Sequence, residues 1–229
     1  MKPRSKRYRQ GAEKLDPTLS HTFEEAVQIL RNFPRAKFDE SVEIAIKLGI
    51  DPKQPDQAVR GAFSMPHGLG KAARVIAFVD EGRAEEALKA GAVAAGEKSL
   101  ADKIKNENWF DFDVAIAEPK MMRLVGQLGR LLGPKGLMPS PKAGTVVPDA
   151  VKAVSEFVAG KQEYKNDANG NIHLVAGRIS FESQKIADNL KAFFQHVQSI
   201  RPSGVKGQFI ENVSVCTTMG PGLRIAFAK

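Results

Sequence analysis

The residues able to do covalent chemistry are few and scattered. Four histidines, His21, His67, His173 and His196, show no metal-ligand spacing, so no metal site is expected. Cys216 is the only cysteine, which excludes a disulfide framework, and its β-rich surroundings read as those of a structural thiol. Asp111 and Asp113 alternate just before an apolar run and so share a strand face; a solvated turn explains them better than an acid/base pair. The string Gly68-Leu69-Gly70-Lys71-Ala72-Ala73 fits G-x-G-x-x-A, but it leads into a strand where a dinucleotide fingerprint must open a helix. Around Lys71 a Walker loop is also missing, since Met65 and Ala72 stand where Gly and Ser/Thr are needed. Asn212-Val213-Ser214 is a glycosylation string without a secretory context. No catalytic residue and no cofactor is expected, which weighs against a nucleotide-dependent enzyme.

Residues suited to binding a polyanion are better represented. The chain has 229 residues, 34 Lys/Arg and 26 Asp/Glu, a net charge of +8 and a pI near 9.6. Residues 68–159 carry 13 basic and 12 acidic side chains, whereas residues 1–67 carry 12 against 9 and residues 160–229 carry 9 against 5. The excess therefore sits at the two chain ends. Lys2, Arg4, Lys6, Arg7 and Arg9 form a basic N-terminal arm. The run Thr217-Thr218-Met219-Gly220-Pro221-Gly222 offers hydroxyls, a polarizable apolar face and close backbone approach, as contacts to RNA require, although a plain hairpin turn has the same composition. The Gly/Pro-rich stretch LGRLLGPKGLMP (128–139), with Arg130, Lys135 and Lys142, reads equally as a rigid connection or as a nucleic-acid or partner contact. A DNA-binding regulator is disfavoured, because no helix-turn-helix with a recognition helix is visible.

These residues need a scaffold, and the composition, 42% hydrophobic and 26% charged, is that of a globular one. No apolar run is long enough to span a membrane, and MKPRSKRYRQ has no apolar core of a signal peptide, so a cytoplasmic protein is expected. Thr22 and Glu25 form a capping box for a helix with Ala26, Ile29, Leu30 and Phe33 on one face, ended by Pro34. Alternation over 38–50 (Val42, Ile44, Ile46, Leu48) predicts a half-buried strand, with a second over 58–65. Met65, Pro66, His67 and Gly68 break the pattern as a hinge. Beyond it, strands at 74–79, 92–95 and 114–117 alternate with helices at 83–90, 99–107 and 119–132, and Pro148 opens a further helix closed by Gly160. That rhythm predicts a doubly wound parallel sheet. After Gly160 it changes again: strands 163–165 and 172–175 flank Asn169-Gly170 as a hairpin, helix 185–200 follows, and strands 208–216 and 223–227 close the chain. The expected fold is a discontinuous α+β domain with an antiparallel sheet (1–67 plus 160–229) and an inserted Rossmann-like parallel α/β domain (68–159). Hinges are expected near 65–68 and 159–160.

Four blocks, AKFDESVEIAIKLGIDP (36–52), VRGAFSMPHGLGK (59–71), LGRLLGPKGLMPSPKAGTV (128–146) and TTMGPGLRI (217–225), together with KRYR near the start and EYKND (163–167), make the chain resemble the bacterial ribosomal protein L-one family. The resemblance implies a monomer within the large ribosomal subunit. Its terminal domain would grip large-subunit rRNA at a mobile stalk and assist movement and release of deacylated tRNA from the exit site. The resemblance also implies repression of the protein's own operon through an mRNA mimic of the rRNA site. Carried onto this sequence, the rRNA surface is Lys37, Phe38, Glu40 and Ser41 with Thr217, Thr218, Met219 and Gly220, and Arg4, Lys6, Arg7, Lys165 and Asn166 are additional contacts. Lys37 and the arm would attract phosphate. Phe38 is either a core residue or an apolar platform for a ribose or base. Glu40 would accept from a 2′-OH or a base amine, or orient Lys37 and Arg residues. Ser41 supplies a hydroxyl.

Overall fold

The computed structural model describes residues 4–13, 15–16 and 18–227; Lys2 of the basic arm lies outside them. In chain order the elements are α1 (Lys6–Ala12), β1 (Ser20–His21), α2 (Phe23–Arg31), β2 (Ser41–Leu48), β3 (Arg60–Ser64), β4 (Val75–Phe78), α3 (Glu81–Lys89) and β5 (Ala94–Gly96). There follow α4 (Lys98–Glu107), β6 (Val114–Ala117), α5 (Met122–Gln127), α6 (Gly129–Leu132), α7 (Ala150–Ala159), β7 (Lys161–Lys165), β8 (Asn171–Arg178), α8 (Ser183–Ser199), β9 (Ile210–Thr217) and β10 (Leu223–Ile225). They form two compact units, one of Met1–Arg60, Met65–Gly70 and Tyr164–Lys229, the other of Gly61–Ser64 and Lys71–Glu163. The architecture is α+β with an inserted parallel α/β unit.

The first unit is built on a five-stranded sheet ordered β1-β10-β9-β2-β8. It is mixed rather than antiparallel, because β1 runs parallel to β10; a two-residue strand leaves no period in the sequence. Central strand β2 pairs antiparallel with β8 from Ser41↔Arg178 to Lys47↔Asn171, and with β9 from Val42↔Thr217 to Leu48↔Ile210. Its alternation sends Val42, Ile44, Ile46 and Leu48, all fully buried, towards one face. Apolar stripes of α2 (Phe23, Ala26, Val27, Leu30) and α8 (Ile186, Leu190, Phe193, Val197) supply the rest of that core. The capping box starts α2 as expected: Thr22 Oγ1 accepts from Glu25 N at 3.3 Å and Glu25 Oε2 accepts from Thr22 N at 2.9 Å. The opposite sheet face, with Ser41, Glu43, Ala45 and Lys47 beside Asn212, Ser214, Cys216 and His173, carries no such apolar layer.

Two local expectations are corrected. The turn at Asn169-Gly170 forms, with Asp167 N donating to Asn171 O at 2.8 Å and the bridge Asn166↔Ile172 beside it, but segment 163–165 does not continue the ladder: β7 pairs with β3 and β8 with β2. Side chains divert the backbone here. Asp167 Oδ1 accepts from the amides of Asn169 and Asn171, both at 2.8 Å, and Asn166 Oδ1 accepts from Val59 N at 2.9 Å. The helix expected over 119–132 is split into a 3-10 turn at Pro119–Met121 followed by α5 and α6, with Gly126 and Gly129 flanking the break.

In the second unit the parallel sheet is ordered β5-β4-β6, and a bridge from Ala117 to Val146 adds a further extended segment. Strand β4 is wholly buried. Ile76 and Phe78 pack with Leu100, Ile104, Val125 and Leu132, whereas Val75, Ala77 and Val79 pack with Ala87, Val154 and Phe157. Both faces are covered, which is why the run is continuously apolar. At the carboxyl end of the sheet, where such folds bind ligands, Arg83 of α3 meets Glu118 and Asp149, each at 2.8 Å. Gly160, at φ 121, closes α7.

In the first unit, Met65 is buried and the segment around it is pinned by Asn189, a fully buried side chain of α8. Asn189 Oδ1 accepts from His67 N at 3.1 Å, and its Nδ2 donates to Gly68 O at 3.0 Å and Ala176 O at 2.7 Å. His67 Nε2 lies 3.4 Å from Asp188 Oδ2, and Gly68 takes φ 64. Asn189→Ala leaves one buried and two part-buried backbone groups without their partner and is expected to cost about 2 kcal/mol, read as a lower urea midpoint. Asp167 offers a pH test. The Asn171 side chain, then the Asn171 and Asn169 amides, hold its carboxyl at about 2, below the ordinary 3.8. A lowered folded value stabilises above the unfolded value and is lost as pH falls through the folded one. The advantage of the native chain over Asp167→Asn in urea unfolding is therefore expected to shrink between about pH 4 and pH 2.

Candidate nucleic-acid interface

Strand β2 begins and β9 ends at the same edge, and this brings the two distant candidate segments together. Val42 faces Thr217 in the register. Thr218 extends the pairing: its amide donates to Ser41 O at 3.0 Å, and its Oγ1 accepts from Ser41 N at 2.9 Å. The turn into β10 is then closed by Gly220 N donating to Thr217 O at 3.1 Å.

Glu40 organises this corner from inside. It is only 4% exposed. Its Oε1 accepts from Ala36 N at 2.7 Å, its Oε2 accepts from Met219 N at 3.2 Å, and the Thr217 hydroxyl also donates to it. Arg7 Nη1 stands 3.9 Å away. Burial alone would raise the Glu40 carboxyl; the Thr217 hydroxyl, the two amides and Arg7 hold it below the ordinary glutamate value. Its oxygens are thus engaged within the protein.

The outer surface of the corner is exposed. Phe38 is 53% and Met219 49% exposed, and Lys37 and Thr218 also face solvent. Phe38 is therefore not a core residue. The basic arm is partly helical: Ser5 Oγ accepts from Tyr8 N at 3.2 Å to cap α1, which carries Lys6 and Arg7, and the Arg4 guanidinium lies 4.9 Å from the Tyr8 ring centre. Gly11 brings α1 against Phe33 and Pro221, so the helix flanks the Thr217–Gly220 turn.

Lys165 and Asn166 lie elsewhere: Lys165 ends β7, which pairs with β3, and Asn166 follows it. Asn166 bridges Ile172, which faces Ile46, so it sits about 17 Å along β2 from Ser41. Both ends of the Asn166 side chain are occupied, by Val59 N and Asp167 O. Between the two ends runs the open sheet face, with Lys47, Arg178 and Arg224 as cationic groups that sequence reasoning missed. Period-two spacing marks them only once the strand partners are known. In the second unit, Arg130 and Lys142 are exposed and Lys135 Nζ lies 4.0 Å over the Phe110 ring. Among the described residues no group of acidic, His and Cys side chains could hold a metal, and no helix is long and apolar enough to cross a membrane.

A split α+β unit with a parallel α/β insertion defines a two-unit class of fold. Comparison with known proteins gives its family. Residues 30–221 match the Ribosomal protein L1p/L10e family, and the chain belongs to that family. It is 48% identical over 225 residues to the large ribosomal subunit protein uL1 of Fervidobacterium nodosum, covering 98% of this chain and 96% of that protein. It is also 48% identical over 229 residues to the protein of the same name from Kosmotoga olearia, covering 100% and 99% respectively. The protein of that name from Thermosipho melanesiensis is 47% identical over 225 residues, covering 98% and 97%. A family of ribosomal proteins is structural, and a nucleotide-dependent enzyme has no place in it.

The corner can be tested by a cycle. A Cβ on Gly220 would stand 2.4 Å from Thr217 Oγ1, with every other atom at 3.6 Å or beyond. Gly220→Ala is expected to cost about 1–3 kcal/mol of stability. Thr217→Ala removes the obstructing oxygen, so the double variant is expected to lose less than the two single losses together in denaturant titrations.

Proposed function

We propose that the protein is a constituent of the large ribosomal subunit whose terminal unit grips large-subunit rRNA. The observation carrying this is the Ser41–Thr218 corner. Glu40 holds its backbone from within, while Lys37, Phe38, Thr218 and Met219 stand outward. A rigid edge presenting a hydroxyl, backbone and apolar atoms suits folded RNA, which is recognised by shape and 2′-OH groups. Lys6, Arg7 and the cations of the open sheet face supply attraction to phosphate. Family membership and the names of its relatives support the same assignment. Under this reading Glu40 and Asn166 position other groups, and Lys37, Phe38, Ser41, Thr218 and Met219 meet RNA.

We infer two finer functions from the resemblance. The insertion, nearly neutral by sequence, serves as a mobile lobe on crossings near Met65–Gly68 and Gly160, and it assists movement and release of deacylated tRNA. The same rRNA surface binds a mimic on the protein's own mRNA and represses its translation in the cytoplasm.

Filter binding of a large-subunit rRNA fragment at several salt concentrations, with an unrelated hairpin as control, tests the assignment. Thr218→Ala with Met219→Ala is expected to lower affinity for the fragment about tenfold while leaving the control unchanged. Removing residues 2–9 is expected to weaken both RNAs and flatten the salt dependence. Undiminished fragment binding by the Thr218/Met219 variant would sink the site.

A further inference from the structure

The open face of the five-stranded sheet holds a groove in which only Arg224 has a role so far, attraction of phosphate. It lies between α1 and strands β9 and β10 and has a volume of about 390 Å³. Tyr8, Leu15 and Leu19 form its apolar wall, and Asn212, Ser214 and Arg224 line it from the strands. Ser214 and Arg224 are paired neighbours across β9 and β10, and Asn212 shares the face of Ser214 two residues away. Among the described residues, no hydrogen bond or ion pair engages the side chains of Asn212, Ser214, Arg224 or the Tyr8 hydroxyl. Leu19 is 55% exposed. A cleft combining an uncovered apolar wall with several uncommitted polar groups is the usual form of a small-molecule site.

The polar groups decide what it takes. Arg224 favours an anion, but Asp16 also lines the groove, and its Oδ1 is already held by Thr18 N at 2.9 Å. Thr18, first through its hydroxyl and then through its amide, holds the Asp16 carboxyl below its ordinary value, so it stays charged and opposes a bare phosphate. Its Oδ2, which no described residue engages, is able to accept from an amine instead. Asn212 and Ser214 can each donate and accept, which matches the edge of a base. One face of the Tyr8 ring is covered by Arg4, and the ring borders the groove. We propose that the groove receives a single unpaired nucleobase, turned out of the RNA bound by the same unit. A base with an exocyclic amine is preferred over uracil. The proposal rests on the RNA-binding reading above, and it gives that reading a base-specific contact in place of shape alone.

The test uses the full chain and the rRNA fragment, made abasic at one unpaired position at a time. Ser214→Leu fills the groove and Tyr8→Ala removes its aromatic wall; a cooperative thermal transition checks that each variant is folded. Both are expected to bind the intact fragment about 10- to 100-fold more weakly. One abasic position is expected to weaken the native protein to a similar degree and to add no further loss in Ser214→Leu. Variants that bind like the native chain overturn the proposal, as do abasic and variant losses that multiply at every position. In both cases tight binding by the native protein leaves the RNA-binding reading standing. A native protein that does not bind the fragment overturns that reading, and the nucleobase groove with it.

Discussion

The buried carboxylate of Glu40 is the constraint on which the candidate interface depends. A charge removed from water is tolerated only when hydrogen-bond donors replace its hydration. Here the donors come from the loop before β2 (Ala36), the end of β9 (Thr217), the turn beyond it (Met219) and, at longer range, Arg7 of α1. One side chain therefore ties three segments far apart in sequence. An acidic residue in a surface meant for phosphate looks misplaced until its burial is seen. Its oxygens are hydrogen-bonded internally, and what it presents outward is a backbone of fixed geometry.

The sheet that carries this corner has its two faces assigned by one alternation. Placing Val42, Ile44, Ile46 and Leu48 against α2 and α8 obliges Ser41, Glu43, Ala45 and Lys47 to face away. The antiparallel partners continue the division, with Val213 and Val215 inward and Asn212, Ser214 and Cys216 outward. The core of the unit and its polar, cation-rimmed face are thus two consequences of one register. The bulge between Val42 and Glu43 against β8 falls beside the corner, where a local change of twist re-aims the strand end.

Much of this was legible in the sequence, and the exceptions share a cause. The capping box at Thr22, the alternation of β2, the doubly covered β4 and the β9–β10 pair all rest on local patterns, and they appear where those patterns place them. What stayed hidden depends on long-range partners. Asn166 and Asp167 spend their side chains on backbone groups, so β7 leaves its expected hairpin and pairs with β3. Asn189 looks like any polar residue on a helix, yet it holds a segment some 120 residues earlier in the chain. The exposure of Phe38 and the burial of Glu40 invert the usual preferences of their residue types. Two of the places where local reasoning fails, Phe38 and Glu40, lie in the candidate interface, as expected where a surface is shaped for a partner and not for the fold alone.

The second unit shows the same logic from the opposite side. Its parallel sheet has the crevice at which doubly wound folds bind nucleotides, and the G-x-G-x-x-A string lies close by in sequence. Neither element is used in that way. The string precedes β4, so its glycines serve turns, with Gly68 and Gly70 at φ 64 and 76. In the crevice, Arg83 joins the nearly buried Glu118 to Asp149 at the start of α7. These contacts bind α3, the end of β6 and α7 to one another with the charges that a ligand would need. A unit closed on itself, with almost equal numbers of acidic and basic side chains, has little to attract a polyanion at long range. The positive field is left to the unit that carries the Ser41–Thr218 corner.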